Sequence, residues 1–216
     1  MSASGARSYP RRVTLGSGEI TLRHMGAADR EAVLTFSRAL PGHDLLFLPV
    51  DVTQPAVIDL WVQAIERGVV TTVLALREGT IQGYAAIDRG NPDWSAHVAE
   101  LRILVSDSVR GRGLGRLLTQ EAFALALGLG IEKMVAHMTV DQKGAIAVFE
   151  GMGFRPEALL REHVKDRSGK KHDLLILSHD VARFQAQMDA YGVSEALGSG
   201  RGPEGAGAAP SDGPTG

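Results

Sequence analysis

Two groups of residues close together in the chain are of types that can do chemistry. The first is Arg110-Gly111-Arg112-Gly113-Leu114-Gly115-Arg116. Glycines let a backbone approach a diphosphate with no Cβ in the way. A helix starting there would add unpaired first amides and a dipole worth roughly half a positive charge. Arg110, Arg112 and Arg116 contribute charge that no physiological pH removes. The spacing Gly111-x-Gly113-x-Gly115 is not the G-x-G-x-x-G of dinucleotide folds, and no Lys-Ser/Thr pair follows as in a triphosphate loop. An ordinary solvated loop is the competing reading. The second group is Ala99-Glu100-Leu101-Arg102-Ile103. A carboxylate in a run that otherwise reads as buried is pushed by burial toward a pKa useful to a general base. Against this stands a structural ion pair with Arg102 or another arginine. His97 on the same strand is a second candidate base or proton relay, set against ordinary packing or solvation.

These residues need a strand that feeds a helix. Residues 96–105 end in the apolar, β-branched run Ile103-Leu104-Val105, which predicts a buried central strand. Alternation places His97 and Ala99 on one face and Val98 and Glu100 on the other. Leu114, Leu117, Leu118, Glu121, Ala122 and Leu125 recur at helical spacing over residues 113–130. Upstream, residues 1–18 read as a flexible lead-in, residues 20–24 alternate as a strand, and a helix from Asp29 stops at Pro41-Gly42. The apolar loop over residues 43–52 lines a substrate cleft or packs under a second helix. That second helix starts with Thr53 as N-cap and Pro55 in its first turn, and ends at Arg67-Gly68. Residues 69–76 and 81–88 form a hairpin across Glu78-Gly79. Downstream come a strand at 133–138, a helix at 143–152 closed by Gly153, and a hairpin of 154–164 with 172–178. His163, Asp166, Arg167, Lys170, Lys171, His172 and Asp173 make the end of that hairpin a solvated turn or a partner contact. A short helix over residues 181–191 precedes a tail rich in glycine, alanine and proline that has too few apolar residues to order itself.

Composition narrows the function classes. The 216 residues suit one domain with extensions. With no cysteine there is no thiolate site, and the seven histidines show no ligand spacing, so no metal is expected. A net charge of −2 gives no footprint for nucleic acid. No apolar run reaches the roughly 20 residues that cross a bilayer, and no secretory h-region is present. A cytoplasmic protein with no membrane partner is expected, as monomer or homodimer.

Arg110-x-x-Gly113-x-Gly115 at a strand-to-helix turn resembles the acyl-CoA pyrophosphate loop of the GNAT superfamily of N-acetyltransferases. A second block, Gly144-Ala145-Ile146-Ala147-Val148-Phe149-Glu150-Gly151-Met152-Gly153-Phe154, resembles the family's N-x-x-A-x-x-x-Y-x-x-x-G-F pattern. The element order β-α-α-β-β-β-α-β-α-β-β over residues 19–180 is similar to that of the family. The context of Glu100 and the stretch 138–144 resemble the GNAT domains of bacterial protein-lysine acetyltransferases in particular.

The resemblance implies an α/β (α+β) fold with a mixed, mostly antiparallel twisted sheet. About seven strands would be flanked by helices and splayed at the centre. It implies acetyl-CoA as cosubstrate and direct attack by an amine on the thioester. Backbone groups of Ile103 and Val105 would bond the pantetheine arm, and an N–H near Leu104 would polarise the acyl carbonyl. Amides of Arg110, Gly111, Arg112, Gly113, Leu114 and Gly115, with Arg116 beside them, would hold the pyrophosphate. Gln142 stands at the position of the family's asparagine, three residues before Ala145. Phe149 replaces the family's tyrosine acid and has no proton to give. The thiolate then leaves unassisted, through water, or by another residue. The implied acceptor is a protein lysine. The alternatives are a small amine (polyamine, amino acid or antibiotic), or a sensor that binds acyl-CoA without turnover.

Overall fold

The computed structural model describes residues 7–183 apart from 17, 46, 47, 91 and 167. Its strands are β1 (Arg11–Leu15), β2 (Gly18–His24), β3 (Val70–Arg77), β4 (Thr80–Asp88), β5 (Val98–Val105), β6 (Lys133–Thr139), β7 (Arg155–Lys165) and β8 (Lys171–Asp180). The helices are α1 (Arg30–Ala39), α2 (Gly42–Leu45), α3 (Pro55–Glu66), α4 (Leu114–Gly128) and α5 (Lys143–Gly151). All eight strands form one sheet in the order β1-β2-β3-β4-β5-β6-β8-β7. Every pairing is antiparallel except β5 with β6.

The mixed, mostly antiparallel sheet is as expected, with eight strands instead of about seven. The extra strand, β1, corrects the reading of residues 1–18 as a lead-in. Its pairing with β2 runs from Arg11 opposite Leu22 to Leu15 opposite Gly18. Val13 and Leu15 are only partly buried, so the apolar signal that marks a strand is weak there. The α4 side chains reach this arm. Glu121, on the inward face of α4, has no exposed side-chain surface, and it takes ion pairs from Arg7 and Arg11 and a 2.8 Å hydrogen bond from the Tyr9 hydroxyl. Residues 1–6, Leu46, Phe47, Arg167 and the expected helix and tail beyond residue 183 lie outside the described residues.

Two apolar layers sandwich the sheet. Ala99 and Leu101 of β5 pack with Leu114, Leu117, Leu118 and Ala122 of α4 and with Phe149 and Phe154. On the other face Leu104, Tyr84 and Leu74 pack with Val33 and Phe36 of α1 and Ile58 and Val62 of α3. Turn chemistry follows the sequence where it was diagnostic. Glu78 and Gly79 both have positive φ (49° and 80°), as a two-residue hairpin turn of the primed type requires. One cap differs: Gln54 is the residue before α3, and the Thr53 hydroxyl instead donates to Asp51 at 2.6 Å. The loop expected over 43–52 opens with the short helix α2.

Candidate active site

The feature that positions everything else is the parting of β5 from β6. They pair only at Val98–Lys133, Ala99–Met134 and Glu100–Val135. Beyond Glu100 the two strands separate, while β5 stays paired with β4 as far as Val105. Bond direction alternates along an antiparallel strand. Ser106 N–H donates to Gln82 O at 2.8 Å, so in register Leu104, Arg102 and Glu100 also turn their backbone groups to β4. Leu101, Ile103 and Val105 turn theirs toward β6, where Leu101 still meets the pairing that ends with Glu100 opposite Val135, and Ile103 and Val105 face the gap. Two contacts agree with this parity: His97 O accepts from Lys133 N–H on the β6 side, and Val105 O accepts from Arg110 at 3.4 Å. The expected carbonyl contact near Leu104 is corrected by one residue, because the Leu104 amide is committed to β4 and the free ones belong to Ile103 and Val105.

The gap opens into a cleft of about 600 Å³. Glu100, Arg102 and Leu104 line it from β5, His137 from β6, Leu174 and Ile176 from β8, Leu160, His163 and Lys165 from β7, Phe149 from α5 with Gln142 just before it, and Asp44 from α2. Cross-strand register explains the gathering. His137 lies opposite Ile176, Ile176 opposite Ala158, and Leu174 opposite Leu160, so these residues share a face. A bulge in β7 between Leu160 and Val164 puts Glu162 at φ 49° and carries His163 to the cleft. The Asp173 carboxylate accepts the Glu162 N–H at 2.8 Å and holds the bulge in place.

Glu100 is where the sequence predicted it, but its chemistry is different. Both its oxygens accept from Arg102, at 2.9 and 3.0 Å, and His137 Nδ1 lies 3.6 Å from Oε1. Arg102 also reaches Asp88 at 3.2 Å. Burial pushes the Glu100 carboxyl up, but hydrogen bonds and charge from His137 and Arg102 outweigh it and hold the pKa at about 2. The expectation of a raised value is corrected: partners, not burial, decide the sign. His97 is not brought to the cleft. It lies in an exposed turn before β5, beside a smaller hollow with Glu132, Lys133 and Asp180. The turn Asp93–Ser95 ends at Ala96, and the strand begins only at Val98.

The glycine loop follows a 3-10 turn, Asp107–Val109, and leads into α4 through Gly113. Gly111 and Gly113 have φ of 70° and 87°, and a Cβ at either would meet nothing within 4 Å. Their backbone faces open space, which suits an anionic group drawn to the first amides of a 15-residue helix. Arg110 is engaged by Asp44 and lies 3.3 Å from Asp107, whereas Arg112 and Arg116 are exposed with no ion pair among the described residues. Leu114 is buried and Gly115 half-buried, so only their backbone can face a ligand. Together with the free edge of β5, the loop fits a long ligand with an extended amide-bearing arm and a diphosphate.

Gln142 is the residue before α5, and its side-chain oxygen accepts the Thr139 N–H at 3.0 Å. Phe149 is buried, with its ring 4.9 Å from that of Phe154 in an edge-to-face contact, and it has nothing to donate. Among the described residues no tyrosine replaces it. Tyr84 is buried against Trp61 and Phe36 with its hydroxyl pKa raised by burial, Tyr9 is held by Glu121, and Tyr191 lies outside the described residues. Sequence reasoning missed His137 and Asp44, and named His163 only within the last hairpin, as part of a solvated turn or a partner contact. No cluster of three or more His, Asp or Glu side chains suits a metal among the described residues, and no described helix is long and apolar enough to cross a membrane.

The sequence model of the Acetyltransferase (GNAT) family matches residues 36–154, more than half of the chain. The Bacillus subtilis (strain 168) protein YwnH, named provisionally as a phosphinothricin acetyltransferase, is 32% identical over 93 residues. That match covers 43% of this chain and 56% of YwnH, so the chain spans little more than half of that relative. A solved phosphinothricin acetyltransferase of the GNAT superfamily from Sinorhizobium meliloti, in complex with acetyl-CoA, superposes with a TM-score of 0.65 at 24% identity. It covers 74% of this chain and 88% of its own. The ribosomal-protein-alanine N-acetyltransferase of Brucella melitensis gives 0.66 at 24%, covering 74% and 98%.

Proposed function

The chain belongs to the acetyltransferase (GNAT) family, and on that premise we propose that it transfers an acetyl group from acetyl-CoA to the primary amine of a small molecule. One observation carries this reading: the outward-facing amides of Ile103 and Val105 lie in the same gap as a carboxylate–histidine pair, with an open glycine loop at its end. Acetyl-CoA supplies the activated acyl group, as a thioester with a good leaving group. The free edge of β5 holds its arm as an added strand would be held. The amides of Arg110 to Gly115 hold the pyrophosphate, with Arg112 and Arg116 free to add charge. Binding in this way would supply proximity, a large share of the catalysis of any two-substrate transfer.

A small acceptor is favoured over the protein lysine expected from the context of Glu100. The names of YwnH and the Sinorhizobium protein point to phosphinothricin, an amino acid analogue with a primary amine. The cleft suits such a molecule: the Glu100–His137 pair lies on one wall to meet an amine, and Lys165 on β7 offers a cation to an anionic group of the acceptor. The ribosomal alanine acetyltransferase keeps a protein acceptor as the second reading. The test is release of CoA thiol from acetyl-CoA with amino acids and phosphinothricin, polyamines, and a lysine-rich protein as separate acceptors. Turnover confined to small amines is expected. Turnover with the protein alone would restore the lysine reading. Acetyl-CoA binding with no turnover would make the protein a sensor.

A further inference from the structure

Resting on the reading of the cleft as an amine acetyltransferase site, we propose that His137 takes the proton from the acceptor ammonium and that Glu100 is the residue that positions it. The geometry is that of a paired carboxylate and imidazole. His137 is on the cleft face of β6 with its side chain 36% exposed, and its Nδ1 is turned to Glu100 at 3.6 Å. A carboxylate beside Nδ1 favours the tautomer with the proton there, which leaves Nε2 as the acceptor. Glu100 is itself fixed, because Arg102 Nε and Nη2 each occupy one of its oxygens. A carboxylate has about four lone-pair sites, two on each oxygen, so the bidentate arginine leaves one on Oε1 for the imidazole.

Glu100 is poorly suited to take the proton. Protonating it would break its pairing with a guanidinium that already shares Asp88. Held at about 2 by His137 and Arg102, its carboxylate is a poor proton acceptor at neutral pH. The other groups facing His137 do not compete. Arg102 and Lys165 are cations, Asp44 is engaged by Arg110, and β8 presents the apolar Leu174 and Ile176. His163 is exposed on the bulge and has no carboxylate at ion-pair distance among the described residues.

The step balances as follows. The ammonium gives one proton to His137 Nε2, and the neutral amine forms the C–N bond to the acyl carbon. The C–S bond breaks with its electron pair leaving on sulfur, and the second nitrogen proton passes through water to that thiolate. His137 then returns its proton to solvent.

The experiment is the pH dependence of kcat/KM for the full chain, His137→Gln and Glu100→Gln, alongside a ¹³C-histidine NMR titration of the ligand-free proteins. Wild type is expected to lose activity on the acid side as one imidazole titrates. His137→Gln is expected to lose at least ~100-fold in kcat and to lose that acid limb, with the KM for acetyl-CoA unchanged. Glu100→Gln keeps the limb but moves it to lower pH, because the imidazolium has lost a neighbouring negative charge. The NMR titration of His137 is expected to fall by half a unit or more in the same variant. An acid limb that survives in His137→Gln and vanishes in Glu100→Gln would make Glu100 the base and overturn the proposal. An unchanged His137 titration with intact turnover would overturn the positioning role. Wild type that acetylates no amine would overturn the acetyltransferase reading, and the base assignment with it.

Discussion

The arm that precedes the sheet is a stability determinant, and its contribution can be worked from one asymmetry. Glu121 has no exposed side-chain surface, while Arg7 and Arg11 are 32% and 36% exposed. The arginines can return to water when their partner is lost; the carboxylate cannot. Removing both cations with Arg7→Ala and Arg11→Ala leaves a buried anion with only the Tyr9 hydroxyl, a cost of about 3–5 kcal/mol. Partial exposure of the arginines places the value at the lower end. Replacing the anion with Glu121→Met leaves two arginines free to solvate and a side chain that fits the apolar layer, for a loss of about 1 kcal/mol or less. Each kcal/mol is worth about 2–4 °C in a domain of this size, so the two variants should melt roughly 5–10 °C apart. Urea unfolding followed by circular dichroism at constant m-value is the assay. If Glu121→Met is as damaging as the double arginine variant, or if that variant lies within about 1 kcal/mol of wild type, the carboxylate is not the group that needs the arm.

Two further outcomes are expected. Gly113→Ala places a Cβ on a residue at φ 87° with no atom nearby to clash, so the stability loss is backbone strain alone, about 1–2 kcal/mol. Because the new methyl faces the side where the pyrophosphate would lie, the KM for acetyl-CoA should rise with kcat at saturation little changed; an unaltered KM would remove the loop from that role. Asp29 and Glu100 both titrate below their ordinary range, Asp29 chiefly through its 2.6 and 2.7 Å hydrogen bonds from Arg23 and Glu100 through His137 and Arg102. A depressed carboxylate binds fewer protons folded than unfolded. Its stabilisation is therefore present above the unfolded pKa and lost as the pH falls, down to about 2 for Glu100. Urea midpoints should drop between pH 5 and pH 3, less so in Glu100→Gln, and a midpoint that holds steady would refute the assignment.

The sequence showed most of what depends on local order. Ile103-Leu104-Val105, then glycines, then leucines at helical spacing read as strand, loop and helix because each signal lies within a few residues of the next. Glu78-Gly79 marked its hairpin for the same reason. What the sequence left hidden depends on pairs distant in the chain. Glu121 falls at an inward position of α4, yet nothing at that position names Arg7, Tyr9 and Arg11 as its partners. Glu100 was found as a carboxylate in an apolar run, but the sign of its pKa shift depends on His137, 37 positions away. His137 itself sits in Lys133–Thr139, where a polar residue reads as the solvated face of a strand, and only the parting of β5 from β6 makes that face a cleft. His97 was misplaced because an alternating pattern does not show where a strand begins.

The parting of β5 from β6 also bears on which partners can pair with an unpaired strand edge. A run of unpaired strand amides is ordinarily an invitation to another chain, and edge strands are commonly blunted with charge, proline or a covering element. Here the unpaired amides of Ile103 and Val105 are in the middle of an eight-stranded sheet, with β4 on one side and β6 on the other. A hairpin or a second sheet is too wide to enter, because any partner strand would have to bring its own neighbours into a gap already walled by β6 and β8. A single thin, linear molecule is not excluded. The recess therefore sorts its visitors by width, leaving hydrogen-bonding groups open to a slender ligand while denying them to a polypeptide aggregate.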